Sequence, residues 1–218
     1  MSKGKCILIG AGDLTVSEIP ITEGDLCIAV DGGFEYCKLL GIVPDYIIGD
    51  LDSVSEKEAE TIAEISKAAE ERVILLPAVK DDTDMLAAIK LGLKEGYRDF
   101  RIYGGMGGRL EHSFANIQCL LYLKENGAVG YLMDGTGMVL IGKEETISFK
   151  EGLEGYFSVF SLGESCILTL EGLKYSLQEK ELKNSYPLGV SNEFMEGQKA
   201  VITVHKGTAL MILNLLSD

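Results

Sequence analysis

Lys5-Cys-Ile-Leu-Ile-Gly-Ala-Gly-Asp13 and, a short way on, Leu26-Cys-Ile-Ala-Val-Asp-Gly-Gly33 decide how the first half of the chain is read. Each is a short apolar run with no polar alternation, stopped by glycine and aspartate. Such a run suits a strand covered on both faces, the situation of parallel sheets clothed in helices. Working outward, Ile47-Ile48, Val73–Leu76, Phe100–Tyr103 and Val129–Met133 repeat the pattern. Helical periodicities fall between and after them, at Phe34–Leu40, Ser55–Glu70, Asp84–Lys94 and Ser113–Glu125. The alternation predicts an α/β fold: a doubly wound, mostly parallel sheet with ligands at the carboxyl ends of its strands.

Past Met138–Gly142 the texture changes. Glu145–Phe149, Tyr156–Phe160, Ile167–Leu170, Ala200–Val204 and Leu210–Leu213 are short β-type runs separated by turn residues, with no helical period between them. This predicts an α/β domain over 1–140 and a smaller antiparallel β-sandwich over 141–218. No internal repeat and no low-complexity tract interrupts either part.

With 218 residues, 46% of them hydrophobic, the chain can bury a real core. Its 34 Asp and Glu outnumber 20 Lys and Arg for a net charge of −14, a field that repels polyphosphate backbones, so a nucleic-acid partner is not expected. Cys6, Cys27, Cys37, Cys119 and Cys166 are odd in number and never spaced as CxxC. That argues against a disulfide framework, a zinc ribbon or a redox motif, and places the chain in a reducing cytoplasm with buried thiols. Neither a signal peptide nor a membrane span is legible.

The acidic residues gather at predicted strand ends, as Asp31-Gly32-Gly33, Gly49-Asp50-Leu51-Asp52-Ser53 and Lys80-Asp81-Asp82-Thr83-Asp84. In an extended Asp-x-Asp both carboxylates share a face, a disposition that suits a hard cation such as Mg²⁺, and Asp50 and Asp52 are the first candidate ligands. The competing reading is structural: Asp, Ser and Gly also cap helices and build turns, with Asp82 or Thr83 as the cap of one helix and Ser53 or Ser55 of another. Three clusters at one predicted sheet edge favour the functional reading.

Two glycine-rich turns add to it. Gly104-Gly-Met-Gly-Gly-Arg109 follows a strand and opens a helix, which lets backbone amides approach a phosphate while Arg109 supplies bidentate charge. Gly10-Ala-Gly-Asp13 has the same character after the first strand. Neither matches GxGxxG or the P-loop, so the reading as a metal–nucleotide site rests on their combination with the carboxylates. His112 and His205 are the only histidines, which excludes a multi-histidine metal centre. His112 lies beside the Gly-Arg loop, where it either touches a nucleotide or merely starts a helix, and His205 has no assigned role. In the second half, Gly172-Leu-Lys-Tyr175 and Ser191-Asn-Glu-Phe194 offer an aromatic ring with amide and hydroxyl groups, suited either to a flat heterocycle or to a plain turn.

Taken in order, Asp31-Gly-Gly, Gly49-Asp-Leu-Asp-Ser53, Lys80-Asp-Asp-Thr-Asp84, Gly104-Gly-Met-Gly-Gly-Arg109 and Ser191-Asn-Glu193 resemble the bacterial thiamine pyrophosphokinases over nearly the whole chain. The resemblance implies transfer of a diphosphate group from ATP to the hydroxyl of thiamine, giving thiamine diphosphate and AMP. It also implies a homodimer with the thiamine site at the subunit interface. Carried over by motif, Asp31, Asp50, Asp52, Asp81 and Asp84 would hold Mg²⁺ and orient the substrates, with Asp84 also reaching thiamine. Gly104, Gly105, Gly107, Gly108 and Arg109 would cradle the ATP phosphates, helped by Gly32, Lys80 and His112. Tyr175 stands where the family places an aromatic residue, often Trp, against thiamine, and Ser191 and Asn192 would bind the pyrimidine ring. Catalysis would fall to Asp84, Asp50, Asp52 and Arg109. Two departures stand out: Glu111 replaces the usual Asp after Gly-Arg-x, and the chain has no Trp. On the residues alone three rivals stay open: a Mg²⁺-dependent phosphohydrolase, a thiamine or nucleotide sensor without turnover, and a structural domain whose acidic clusters are only turns.

Overall fold

The computed structural model describes residues 3–50, 56–77 and 81–216, without the side chains of 56–59 and 68. Two compact units divide the chain, Met1–Gly135 and Thr136–Asp218.

The first unit carries strands β1 (Cys6–Ile9), β2 (Leu26–Val30), β3 (Tyr46–Gly49), β4 (Val73–Leu75), β5 (Asp99–Tyr103) and β6 (Val129–Met133), and helices α1 (Gly33–Leu39), α2 (Glu56–Ala68), α3 (Asp84–Lys94) and α4 (Leu110–Glu125). All six strands are parallel, in the order β6-β5-β1-β2-β3-β4. Helices cover both faces, as the unalternated apolar runs require. On one face Ile7, Ile9, Cys27, Ala29 and Ile47 pack with Phe34 of α1 and Ile62 of α2. On the other, Gly92 of α3 lies against Cys6 and Phe100, and Leu120 and Leu123 of α4 lie against Gly130.

The chain builds β1 to β4 in one direction and then returns to place β5 on the other side of β1. That reversal makes the gap between β1 and β5 the topological switch point, where doubly wound sheets bind ligands beyond the carboxyl ends. The doubly wound parallel sheet expected from the sequence is therefore present.

The second unit is all β. Strands β7 (Gly137–Lys143), β9 (Gly155–Ser161), β12 (Asn192–Glu193) and β14 (Thr208–Leu215) form one antiparallel sheet, ordered β12-β9-β14-β7. Strands β8 (Thr146–Ser148), β10 (Ser165–Glu171), β11 (Leu177–Lys183) and β13 (Val201–Lys206) form the other, ordered β11-β10-β13-β8. Their inner faces meet where Ile147 and Val204 of one sheet and Met211 of the other converge on Gly142. An edge-to-face trio of Phe149, Phe157 and Phe194, with ring centroids 5.8 to 6.0 Å apart, fills one end. This is the expected sandwich. The change of texture at Met138–Gly142 falls inside β7, and the compact units part a few residues earlier, between Gly135 and Thr136.

Candidate functional site

The carboxyl edge of the parallel sheet is where the acidic motifs arrive. Asp31 follows β2 with φ of 51°, a left-handed conformation uncommon for a side-chain-bearing residue, and its amide donates to the Ile48 carbonyl at 2.9 Å. Its carboxylate lies against the Cα of Gly49, at the tip of β3, next to Asp50. Asp84 opens α3 behind Thr83, whose Oγ1 accepts from the Leu86 amide at 3.2 Å. Of the two caps the sequence offered there, Thr83 is the one used. The first turn of α3 reaches the tip of β1, since Met85 fills the space beside Gly10.

Asp31, Asp50 and Asp84 are half-buried, and one carboxylate oxygen of Asp31 and one of Asp84 are screened from solvent. Asp81 is exposed ahead of the helix. Asp82 turns along α3 to Lys90, 2.5 Å away, and this hydrogen bond raises the Lys90 ammonium above its ordinary pKa. Asp52 and Lys80 lie outside the described residues, as do Ser53 and Ser55.

Among the described residues no three His, Cys, Asp or Glu side chains converge into a metal cage. The donor chemistry nevertheless fits Mg²⁺, which takes carboxylate oxygens and is commonly held by one or two of them together with substrate phosphates and water.

The two glycine turns flank the switch point and are stitched together. The amides of Gly10, Gly12 and Asp13 donate to the carbonyls of Tyr103, Gly104 and Met106, each at 2.8 Å. The approach is so close that a Cβ on Gly12 would run into the Met106 and Gly104 carbonyls. Gly104, at φ of 58°, likewise has no room for a Cβ beside the Gly10 carbonyl. These three amides of the first turn are thus engaged inside the protein.

The second turn is different: among the described residues, the amides of Gly105 to Arg109 donate to no backbone carbonyl. It is held instead by its carbonyls. Buried Asn116 of α4 donates to Gly105 O at 2.7 Å, and Ser113 Oγ donates to Gly107 O at 3.4 Å. Asp13 packs its carboxylate on Gly107. Gly107, Gly108, Arg109 and His112 are exposed. Arg109 caps α4 without a side-chain cap bond and pairs with Glu111 at 3.2 Å, so Glu111 serves the charge of that arginine.

Motif spacing points to the turn that ends at Asp13 but not to Asn116. Asn116 is the polar member of the buried stripe Asn116, Cys119, Leu120 and Leu123 on α4, a pattern break that could have singled it out. Away from this edge, an apolar cavity of about 210 Å³ between Phe34, Ile42, Pro44, Ile65 and Arg72 opens near the amino end of β3, and among the described residues no candidate lines it.

In the second unit, Tyr175 is exposed and Asn192 is buried. Asn192 Oδ1 accepts from the amides of Tyr175 and Glu193, both at 2.9 Å, and Nδ2 donates to the Tyr175 carbonyl at 2.7 Å. Ser191 is exposed at φ of 57°, its amide donating to Ser158 Oγ at 3.1 Å. Lys174 pairs with Glu193 at 2.7 Å, which raises its pKa, and stands 5.6 Å from the centre of the Tyr175 ring. His205, on β13, shares a hydrogen bond with Thr169 at 2.8 Å. All five cysteines are buried free thiols, and no helix among the described residues is long and apolar enough to cross a membrane.

Comparison with known proteins matches both units. Residues 20–131 fit the family model described as thiamin pyrophosphokinase, catalytic domain, and residues 144–209 the one described as thiamin pyrophosphokinase, vitamin B1 binding domain. Thiamine pyrophosphokinase of Bacillus subtilis strain 168 is 30% identical over 193 residues, covering 87% of each chain. A crystal structure of thiamine pyrophosphokinase from Bacillus subtilis superposes with a TM-score of 0.84 at 27% identity, over 97% of this chain and 99% of that one. Yeast thiamin pyrophosphokinase shares the fold, with a TM-score of 0.77 at 17% identity over 99% and 87% of the two chains. Two matched domains in one order, with a relative aligned along most of the length, mean that the chain belongs to the thiamine pyrophosphokinase family.

Proposed function

We propose that the chain is a thiamine diphosphokinase that moves the terminal diphosphate of ATP to the hydroxyl of thiamine, giving thiamine diphosphate and AMP. The observation that carries this reading is the match of both halves of the chain, in order, to the catalytic and vitamin B1 binding parts of one enzyme family. The thiamine hydroxyl oxygen attacks the β-phosphorus, the bond from that phosphorus to the oxygen bridging to the α-phosphorus breaks, and AMP leaves with that oxygen. The hydroxyl proton passes to a carboxylate.

Asp84 is the carboxylate assigned to orient the hydroxyl and take its proton, supported by its place on the first turn of α3 at the carboxyl edge. The amides of Gly105 to Arg109 and the Arg109 guanidinium hold the phosphates, with Gly32, Lys80 and His112 beside them. Mg²⁺ would be held by carboxylates of the set Asp31, Asp50, Asp52, Asp81 and Asp84; bound there, it would offset phosphate charge. Tyr175 offers its exposed ring to thiamine, with Ser191 at the same edge. The reading extends to a homodimer with thiamine at the subunit interface and to a cytoplasmic enzyme, the latter supported by five buried free thiols.

The test is incubation with ATP, Mg²⁺ and thiamine, quantifying AMP and thiamine diphosphate. Equal, thiamine-dependent amounts of both, lost without metal and in an Asp50→Asn/Asp52→Asn variant, are expected. Inorganic phosphate released without thiamine dependence would refute the assignment in favour of a hydrolase.

A further inference from the structure

We propose that Asn192, which the family resemblance sets against the pyrimidine ring beside Ser191, is instead a positioning residue: it clamps the main chain of Tyr175 and thereby sets thiamine affinity without touching thiamine. The inference rests on the reading of Tyr175 as the ring that meets the substrate. An asparagine side chain offers two acceptor lone pairs and two donor hydrogens. Here both lone pairs and one hydrogen are taken, by Tyr175 N–H, Glu193 N–H and Tyr175 C=O. Both main-chain polar groups of one residue are thus satisfied by one side chain that is only 5% exposed.

Tyr175 needs such a clamp because it lies in the connection between β10 and β11, with no ladder position of its own. The adjoining contacts continue the seam: Lys174 N–H donates to the Glu193 carbonyl at 3.0 Å, and Leu173 bridges Phe194, which is anchored in the phenylalanine trio. The left-handed Ser191 turns the chain so that Asn192 points inward. Aspartate in place of Asn192 keeps the acceptor for two amides and loses the donor to the Tyr175 carbonyl. Alanine loses all three bonds.

The experiment is a double-mutant cycle on the full chain, with N192A, N192D, Y175A and Y175A/N192A compared by steady-state kinetics, calorimetric thiamine binding and thermal melting. N192A raises the KM and Kd for thiamine about tenfold, with N192D smaller, while kcat and the KM for ATP stay within about threefold. In the Y175A background the Asn192 change adds less than about twofold, because the ring that it positions is gone. Effects that multiply instead would mean that Asn192 contacts thiamine directly and would overturn the proposal. So would N192D with unaltered thiamine affinity in a folded protein, the variant that decides if N192A does not fold. A wild-type enzyme that forms no thiamine diphosphate, or Y175A with unchanged thiamine affinity, would instead remove the underlying reading, and the proposal with it.

Discussion

The turns after β1 and β5 are alike in composition and neighbours in space, yet they carry opposite halves of one task. In Gly10-Ala-Gly-Asp13 the glycines let two backbones touch, and its amides at Gly10, Gly12 and Asp13 close on the carbonyls of Tyr103, Gly104 and Met106. In Gly104 to Arg109 the carbonyls are tied down, to Gly12, Asp13, Asn116 and Ser113, while the amides of Gly105 to Arg109 meet no backbone carbonyl among the described residues. The lesson is that a glycine-rich turn at a strand end can be an anion cradle or the splint that shapes one. Its hydrogen-bond direction tells which.

The comparison breaks hardest at Gly12. Gly12→Ala forces a methyl into the Met106 and Gly104 carbonyls, so the two turns must part. A loss on the order of 3 kcal/mol in denaturant unfolding is expected, with turnover falling at least about a hundredfold. Asn116→Ala leaves the buried Gly105 carbonyl without its donor, costing about 2 kcal/mol of stability and raising the KM for ATP more than the KM for thiamine.

Gly108 sharpens the contrast from the other side. It has φ of 59° but open space around it, so Gly108→Ala costs only about 1 kcal/mol of backbone strain, read as a small fall in melting temperature. The smallest effect is expected at Asp13, whose hydrogen bond to the second turn is made by its own amide and whose side chain only packs on Gly107. Asp13→Asn keeps that bond, and stability stays within about 0.5 kcal/mol, with kcat within about threefold. A large loss of kcat in Asp13→Asn would show the first turn to be part of the chemistry and not its support.

This distinction was not legible in the sequence, although much else was. The apolar runs at Cys6–Ile9 and Leu26–Val30 announce two-face burial, and α3 runs over the expected Asp84–Lys94 because a cap, an acidic first turn and an apolar stripe agree. Where local signals are absent, reading fails. β11 is the charged stretch Leu177–Lys183, in which only Leu182 is buried, and its pairing with β10 alone makes it a strand. α4 begins at Leu110, three residues before the expected Ser113, because Gly108-Arg109 masks a start that has no side-chain cap. In the sequence β7 reads as a boundary, since its apolar Met138–Ile141 stretch has no turn to set it apart.

At the site, the carboxylate edge followed from motif spacing and strand order. The commitments of Asn116 and Asn192 did not, because an amide's partners depend on which distant backbone it meets. Three-dimensional neighbours, not composition, decide whether the Gly12 amide faces a ligand or the Gly104 carbonyl.

The most direct test is amide-resolved NMR of the protein with and without a non-hydrolysable ATP analogue and Mg²⁺. The account predicts shifted and exchange-protected amides from Gly105 to Arg109, while those of Gly10, Gly12 and Asp13, already bonded within the protein, keep their protection. New protection confined to the first turn, with the second unchanged, would contradict it.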